Sequence, residues 1–371
     1  MNKKGLFILV LLFSVMFLGI SGVTVADGDP FISIQSNVAF ASYFDSGNGT
    51  VSNPWILENK SFVVQNMSEI YCIRIEDTTD HFIIRNCTFT GFEEIQVEDE
   101  GTYYQYHGYG LTFKNVTNGE VDDCQFYNLE YVAMAENCHN IKVSNCDAIG
   151  TLEEEGYQYA KGLNVVNCTQ LFVYNNTMNY LSYALSGRGI QDSIATNNTV
   201  YMTFHGFDLG DDCDNNTLKF NSVILDRSHD VSPRMVSGAG VKQSDIIATG
   251  IQFGDNSENN DVQWNDITGF DYNGIDDAGN MWDYNLWSDY YGEDADEDGI
   301  GDTPHTIAGT AESVDEHPRL YTLSGEPYTP PARPTTPLPM IPSELLIVVT
   351  VIVGVSIIAL VVIFYRKRKA P

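Results

Sequence analysis

The clearest chemistry in the sequence sits close to its C-terminal end. Asp294, Asp296 and Asp298 alternate, Gly299 permits a sharp turn, Ile300 can offer its carbonyl, and Asp302 stands at the ninth position of the run. This is the ligand order of an EF-hand-like Ca²⁺ loop. The twelfth position holds His305 instead of a bidentate Glu, so Asp289, Glu293 or Asp315 is expected to complete the shell. Carboxylates this dense repel one another unless a cation lies between them. The expected role of the ion is to fix one end of the fold.

Two further groups of residues invite a chemical reading. His205-Gly206-Phe207-Asp208-Leu209-Gly210-Asp211-Asp212 resembles the paired-Asp region of polygalacturonase-like hydrolases, where one carboxylic acid protonates the leaving oxygen and others activate water. The resemblance makes His205, Asp208, Asp211 and Asp212 candidates for catalysis. The partner motifs, a Gly-His-Gly and an Arg-x-Lys, do not follow, and Gly-apolar-Asp also arises from a repeat with acidic turns. The other group is a repeated wording, Tyr104-Gln105-Tyr106 and Tyr157-Gln158-Tyr159, preceded by Glu98-Asp99-Glu100 and Glu153-Glu154-Glu155. Tyr104, Tyr106, Tyr157 and Tyr159 suit stacking on sugar rings, with Glu100 and Glu155 as polar or cation contacts. A pair of ordinary solvated loops fits the same residues.

What must position these groups is a six-residue phrase: apolar, two variable, Asn or Cys, one variable, apolar. It reads Ile84-Cys87-Phe89, Val121-Cys124-Phe126, Val143-Cys146-Ala148, Val173-Asn176-Met178, Ala195-Asn198-Val200, Leu218-Asn221-Val223, Val262-Asn265-Ile267 and Trp282-Asn285-Trp287. Its middle residues are separated by 37, 22, 30, 22, 23, 44 and 20 positions. A period near 22 means a solenoid, with 44 taken as two units and 37 and 30 as one unit plus an insertion. Alternating apolar residues broken at Asn and Gly, as in Leu163, Val165, Asn167 and then Leu171, Val173, Asn176, are strand and turn chemistry, which excludes helical repeats. The expectation is an all-β, parallel β-helix of roughly ten to eleven coils with buried columns of Asn amides. Insertions at 93–108, 152–160 and 227–247 all leave just after the same apolar position, and so project from one edge.

On these repeats the chain resembles the right-handed parallel β-helix proteins of the pectin-lyase type. Gly47 to Glu58 (GNGTVSNPWILE), His81 to Phe89 (HFIIRNCTF) and Trp282 to Ile307 (WDYNLWSDYYGEDADEDGIGDTPHTI) narrow the resemblance to archaeal surface members of the NosD-like family. The founding members of that family are described as periplasmic copper-binding proteins. The resemblance spans nearly all of residues 31 to 320 and is specific for fold and weak for activity, since this fold hosts lyases, hydrolases, epimerases and pure binders. Copper is the cofactor it implies. Cys87, Cys124 and Cys146 stand in the Asn column, and Cys138 and Cys168 form a second column eight residues earlier. Stacked thiols suit Cu(I), but inward-pointing free cysteines without a Met or His cluster read first as inert packing and next as a disulfide between coils.

The two ends assign a compartment. Residues 1–26 pair Lys3 and Lys4 with an apolar run and a small-residue site ending at Ala26, as in a secretory signal peptide. Leu345 to Tyr365 is 21 uncharged residues followed by Arg366-Lys367-Arg368-Lys369, a membrane span with a cytoplasmic tail. The expected order is signal peptide 1–26, N-terminal cap and entry strands 27–60, repeats 61–292, acidic segment 293–323, Pro-rich stalk 324–343, transmembrane helix 344–365 and basic tail 366–371. Acids outnumber bases 50 to 19, which argues against nucleic acid as a partner. Nine Asn-x-Ser/Thr sequons occur, at Asn48, Asn59, Asn66, Asn86, Asn115, Asn167, Asn175, Asn197 and Asn215. Several of those within the repeats are expected to lie too close to the core for modification, which leaves Asn48, Asn59 and Asn66 as the better acceptors. The functional expectation is a membrane-anchored, extracellular β-helix that binds a polymer or surface component, a carbohydrate above all. A polysaccharide hydrolase or lyase and a copper-handling protein are the alternatives.

Overall fold

Short runs that alternate buried and half-exposed residues make short strands, and a residue in the left-handed region, most often Asn or Asp, ends many of them. A computed structural model describes residues 31–64, 71–98, 101–150, 160–227 and 247–328, with the backbone alone for 93–106. One coil shows the plan: Lys161–Val166 lies in a first sheet, Thr169–Tyr174 in a second and Thr177–Asn179 in a third. Each strand pairs in parallel with its equivalent one coil away, as Phe126 does with Phe89 and Ala148. The result is an all-β, right-handed parallel β-helix. The exceptions to parallel pairing among the described strands are a hairpin, Phe92–Glu98 with Gly101–His107, and the short pair His305–Thr306 with Val314–Asp315.

The third sheet has nine strands, from Ser61–Val63 to Leu286–Trp287, so the described chain makes nine coils instead of ten or eleven. The difference lies in the interval of 44. Asn221 donates directly to Asn265 at 3.0 Å, so these residues occupy consecutive coils and the interval holds one coil plus an insertion. The first coil begins at Ile32, which pairs with Ile73, inside the segment expected to hold the N-terminal cap and entry strands. A 3₁₀ helix at Asn37–Ser42 follows and buries Phe40 against Phe44, Trp55 and Phe82. Among the described residues no helix is long and apolar enough to cross a membrane. The segments read as signal peptide, transmembrane helix and basic tail lie outside the described residues, as does most of the stalk.

Inside, equivalent residues form files. Phe62, Phe89 and Phe126 stack at centroid distances of 5.2 and 4.8 Å. Asn176, Asn198, Asn221, Asn265 and Asn285 are buried, and each Nδ2 donates to the Oδ1 of the next at 2.9 to 3.0 Å. Each Nδ2 also reaches a backbone carbonyl one coil back, for example Asn221 to Ala195 O at 2.9 Å. A second file runs through Asn216, Asn260 and Asn280. All seven cysteines are buried, and none forms a disulfide. Cys87, Cys124 and Cys146 continue the first file toward the N-terminus, and Cys138 N–H lies 3.2 Å from Cys168 Sγ in the other column.

The turn before the first file holds Asn59, Asn86, Asp123, Asn145, Asn175 and Asn197 at φ of 49 to 57°, where Asn is the tolerated non-glycine residue. In the last coils Phe220, Trp264 and Tyr284 take the same conformation. Their rings stack on one another and on His317, with Trp264 to Tyr284 at 4.8 Å and Tyr284 to His317 at 4.9 Å.

Removing one ladder amide should be costly. In Asn221→Ala, the backbone N–H and Nδ2 of Asn198 and the carbonyl of Ala195 all lose a partner. At about 1–3 kcal/mol per buried orphaned group, the loss is roughly 3–9 kcal/mol. Asn197→Gly, one turn residue away and exposed, should stay within about 0.5 kcal/mol. Urea unfolding of the two variants measures the contrast, and equal midpoints would remove the ladder from the account of stability.

Candidate functional site

The register of the first sheet builds a surface that the repeat phrase does not announce. Tyr71, Tyr109, Tyr131 and Lys161 occupy equivalent positions at the start of consecutive strands. Tyr183, His205, Thr249 and Tyr272 continue the column. A second outward column runs Arg74, Thr112, Met134, Asn164 and then Ser186, Asp208, Gln252. The outer face of this sheet therefore carries a mostly aromatic row, with Lys161 and Thr249 in it, beside a row that is polar except at Met134, repeated at about 4.8 Å per coil.

Contacts along the ring column fix its members. Tyr109 meets Tyr131 edge-on at 5.2 Å, and Lys161 Nζ lies 4.4 Å over the Tyr131 ring and donates to its hydroxyl at 3.1 Å. Tyr183 and His205 stack at 4.7 Å, and His205 Nδ1 pairs with Thr249 Oγ1 at 2.8 Å. Burial lowers the His205 pKa to about 4, so its imidazole is neutral at neutral pH. Burial likewise pushes the Asp208 carboxyl up from its usual range. It also raises the Tyr183 phenol, with the Asp208 charge adding to the effect.

The other candidates divide. Asp208 faces outward near His205, whereas Asp211 and Asp212 are exposed in the turn that follows the strand, Asp212 at φ 59°. The structure thus brings two of the four proposed catalytic residues to one face and sends the other two past its end. The three insertions all lie in the turn from the third sheet to the first, entering just before Tyr109, Lys161 and Thr249. Tyr104 and Tyr106 belong to the hairpin strand Gly101–His107, whose backbone leads into Tyr109. Glu100, Glu155, Tyr157 and Tyr159 lie outside the described residues.

The acidic loop is a separate centre. Among the described residues the one trio of His, Cys, Asp or Glu side chains whose ligand atoms converge is Asp294, Asp296 and Asp298, within 4.8 Å of one another. Asp294 accepts from the N–H of Asp298 and Gly299, and Asp298 accepts from Ile300 N–H at 2.8 Å. Gly299 has φ +87°, which a side chain would strain. Asp302 Oδ2 accepts from Ala295 N–H at 2.7 Å, which folds the loop back on itself. Hard oxygen donors in this order fit Ca²⁺. Asp315 does not complete the shell, because its buried carboxylate accepts from Asn285, Trp287 and His317. His305 stacks on Trp287 at 4.8 Å.

The cysteine file fits a soft metal poorly. Each of Cys87, Cys124 and Cys146 donates its thiol to the carbonyl two residues earlier, at 3.1 to 3.3 Å. The neighbouring thiols Cys146 and Cys87, with burial, push Cys124, the middle of the three, up, whereas the Cys124 thiol outweighs burial and holds Cys87 below its ordinary value. Burial pushes Cys213 up to about 11. Cys124 thus keeps its proton, and thiolate is the metal-binding form.

No protein-family model matches the chain, and no curated protein matches it. Among solved structures it is similar to a family 28 exopolygalacturonase of Yersinia enterocolitica, with 11% identity, 70% of each chain covered and a TM-score of 0.30. It is also similar to ORF18 of Geobacillus virus E2, with 10% identity, 68% of this chain and 53% of that one covered, and a TM-score of 0.23. Likenesses this distant add nothing to the strand register, which establishes the parallel β-helix by itself.

The raised pKa of Asp208 has a consequence for stability. Its folded value lies above the unfolded 3.8, so ionisation costs stability as pH rises through the folded pKa, and the cost is absent below the unfolded one. Asp208→Asn should therefore melt higher than the parent at pH 7 and equal to it near pH 3. Identical melting temperatures at pH 7 would show that Asp208 ionises there without penalty.

Proposed function

We propose that this chain is a cell-surface, membrane-anchored β-helix that binds an extracellular polymer, a carbohydrate, across the outer face of its first sheet. The observation that carries the reading is the column Tyr109, Tyr131, Lys161, Tyr183 and His205 beside the polar column ending in Ser186, Asp208 and Gln252. Rings offer apolar faces to the C–H surfaces of a sugar, and the adjacent hydroxyls, amides and carboxyl take its hydroxyls. The insertions leave the chain just before this column, and the reading retains Tyr104, Tyr106, Tyr157 and Tyr159 as the sugar contacts expected from the sequence. Surface display rests on the secretory start and the apolar Leu345 to Tyr365 run of the sequence. Binding is favoured over hydrolysis because glycosidic cleavage needs a facing carboxylate pair, and the expected partners of Asp208 stand in a turn.

Tyr131→Ala and Tyr183→Ala should each weaken binding to isolated envelope polysaccharide about 3- to 10-fold, the equivalent of about 0.5–1.5 kcal/mol of ring contact. Replacing 93–106 and 151–159 with short turns should reduce binding further while leaving circular dichroism unchanged, since coil-to-coil contacts carry the stability of a solenoid. Full binding by all these variants would sink the proposal. New reducing ends that disappear in Asp208→Asn would move the reading to a hydrolase.

The reading includes Ca²⁺ held by Asp294, Asp296, Asp298, the Ile300 carbonyl and Asp302, as a structural ion of the C-terminal end. An ion bound by the folded state alone stabilises it by about 2.7 kcal/mol at a hundred times its Kd. Added Ca²⁺ should raise the melting temperature, and Asp296→Asn with Asp298→Asn should abolish the rise. A melting temperature indifferent to Ca²⁺ after verified chelation would make the loop an acidic turn and nothing more.

A further inference from the structure

The sequons of the repeat were expected to lie against the core, and the structure reverses that. In Asn86-Cys87-Thr88, Asn167-Cys168-Thr169, Asn175-Asn176-Thr177, Asn197-Asn198-Thr199 and Asn215-Asn216-Thr217 the middle residue is the buried one, and the sequon asparagine is exposed. Asn59 and Asn115 are exposed in the same way. The reason is the turn: all seven have φ between 49 and 57°, and this left-handed step points the asparagine outward and, in every case but that of Asn59, whose successor Lys60 is half-buried, the next residue inward. Each sequon therefore presents an acceptor amide on a convex corner, with its Ser or Thr beginning, or just after, the next strand position.

Their distribution is one-sided. Asn115, Asn167 and Asn215 lie at the turn from the first sheet to the second, and Asn59, Asn86, Asn175 and Asn197 at the turn from the second to the third. Among the described residues none lies at the turn from the third sheet to the first, where the insertions project, or on the outer face of the first sheet. Asn66 falls outside the described residues.

We propose that these asparagines are N-glycosylation acceptors, and that the glycans line both edges of the second sheet while the ring-bearing face of the first sheet stays bare. In the transfer, a bond forms between Asn Nδ2 and the anomeric carbon of a lipid-linked sugar phosphate. The bond from that carbon to the phosphate oxygen breaks, the phosphate leaves with the electron pair, and Nδ2 gives up one proton. The remaining N–H is enough for the native contacts. Asn86 Nδ2 donates to Asn59 Oδ1 at 2.6 Å, Asn175 to Asn145 Oδ1 at 2.6 Å and Asn115 to Asp77 Oδ1 at 2.8 Å, and each uses a single hydrogen. Acceptors on consecutive coils, about 4.8 Å apart, leave room for one glycan per pair, so Asn59 and Asn86 share one, as do Asn175 and Asn197.

The test is peptide mass mapping of the full chain purified from the organism that produces it. The expected result is hexose or hexosamine mass increments on the peptides of Asn115, Asn167 and Asn215 and on one or other member of each consecutive pair. Thr169→Ala should return the Asn167 peptide to its unmodified mass, and Thr169→Ser should keep the sugar, which separates attachment at the asparagine from attachment at the hydroxyl. Unmodified masses at all seven asparagines would overturn the proposal, as would a sugar on the Asn167 peptide that survives Thr169→Ala.

Discussion

The buried asparagine amide is the group on which the solenoid depends. An amide inside a protein is costly unless both its donors and its acceptor are met. Here each one meets that demand by bonding along the axis to its copy in the next coil. The solution is open-ended, because every amide that donates forward leaves the next with the same need. The chain closes both files with carboxylates. Asn285 donates to Asp315, and Asn280 to Asp276, each carboxylate 0% exposed. A row of amides donating in one direction presents its positive end there, and an anion is the complementary terminus.

The two carboxylates reach opposite balances. Burial alone would raise Asp276, but the hydroxyl of Ser313, the indole of Trp282 and the amides of Asn280 and Ala278 outweigh it and hold the group below its usual value. At Asp315 burial wins over the donors from Trp287 and Asn285, and the carboxyl is pushed up. Trp282 and Trp287 occupy the apolar places of the last repeat phrase, and each turns its indole N–H to the nearer carboxylate. The final coil is thus built from the same wording as the others, with rings large enough to cover the core and polar enough to serve the files.

The files were legible in the sequence because they demand one residue type at one spacing. The Asn and Cys positions of the repeat phrase are buried and in register throughout. The interval from Asn221 to Asn265 misled because residues in an insertion obey no pattern, and one unpatterned stretch of suitable length resembles another. The ring column was legible in principle and missed. Tyr109, Tyr131, Lys161 and Tyr183 each stand 15 residues before the Asn or Cys of their coil, and His205 stands 16 before Asn221. Only alignment of the coils on the buried file shows this offset, since a surface column is held by no packing requirement that would repeat one residue type. The sequons were misplaced for a local reason: a single left-handed residue swaps which neighbour faces inward, and spacing alone does not reveal it.

The C-terminal loop and the end of the amide files are mechanically one unit. Gly301 N–H bonds to Pro318 O, Leu320 N–H to Gly299 O, and Ile300 bridges Arg319, so the acidic loop and the segment 318–320 hold each other. Arg319 then reaches into the solenoid, 6% exposed, pairing with Asp266 at 2.7 Å and donating to the carbonyls of Tyr284 and Asn265. A buried ion pair is costly when one partner moves away, so the position of Arg319 matters to the last coils. Negative charge crowded on Asp294, Asp296 and Asp298 pulls against that arrangement, and a cation among them relieves it. Whatever neutralises the loop therefore acts on the coil where Asn265 and Asn285 hand the ladder to Asp315, one of the two places where an amide file cannot be satisfied by another copy of itself.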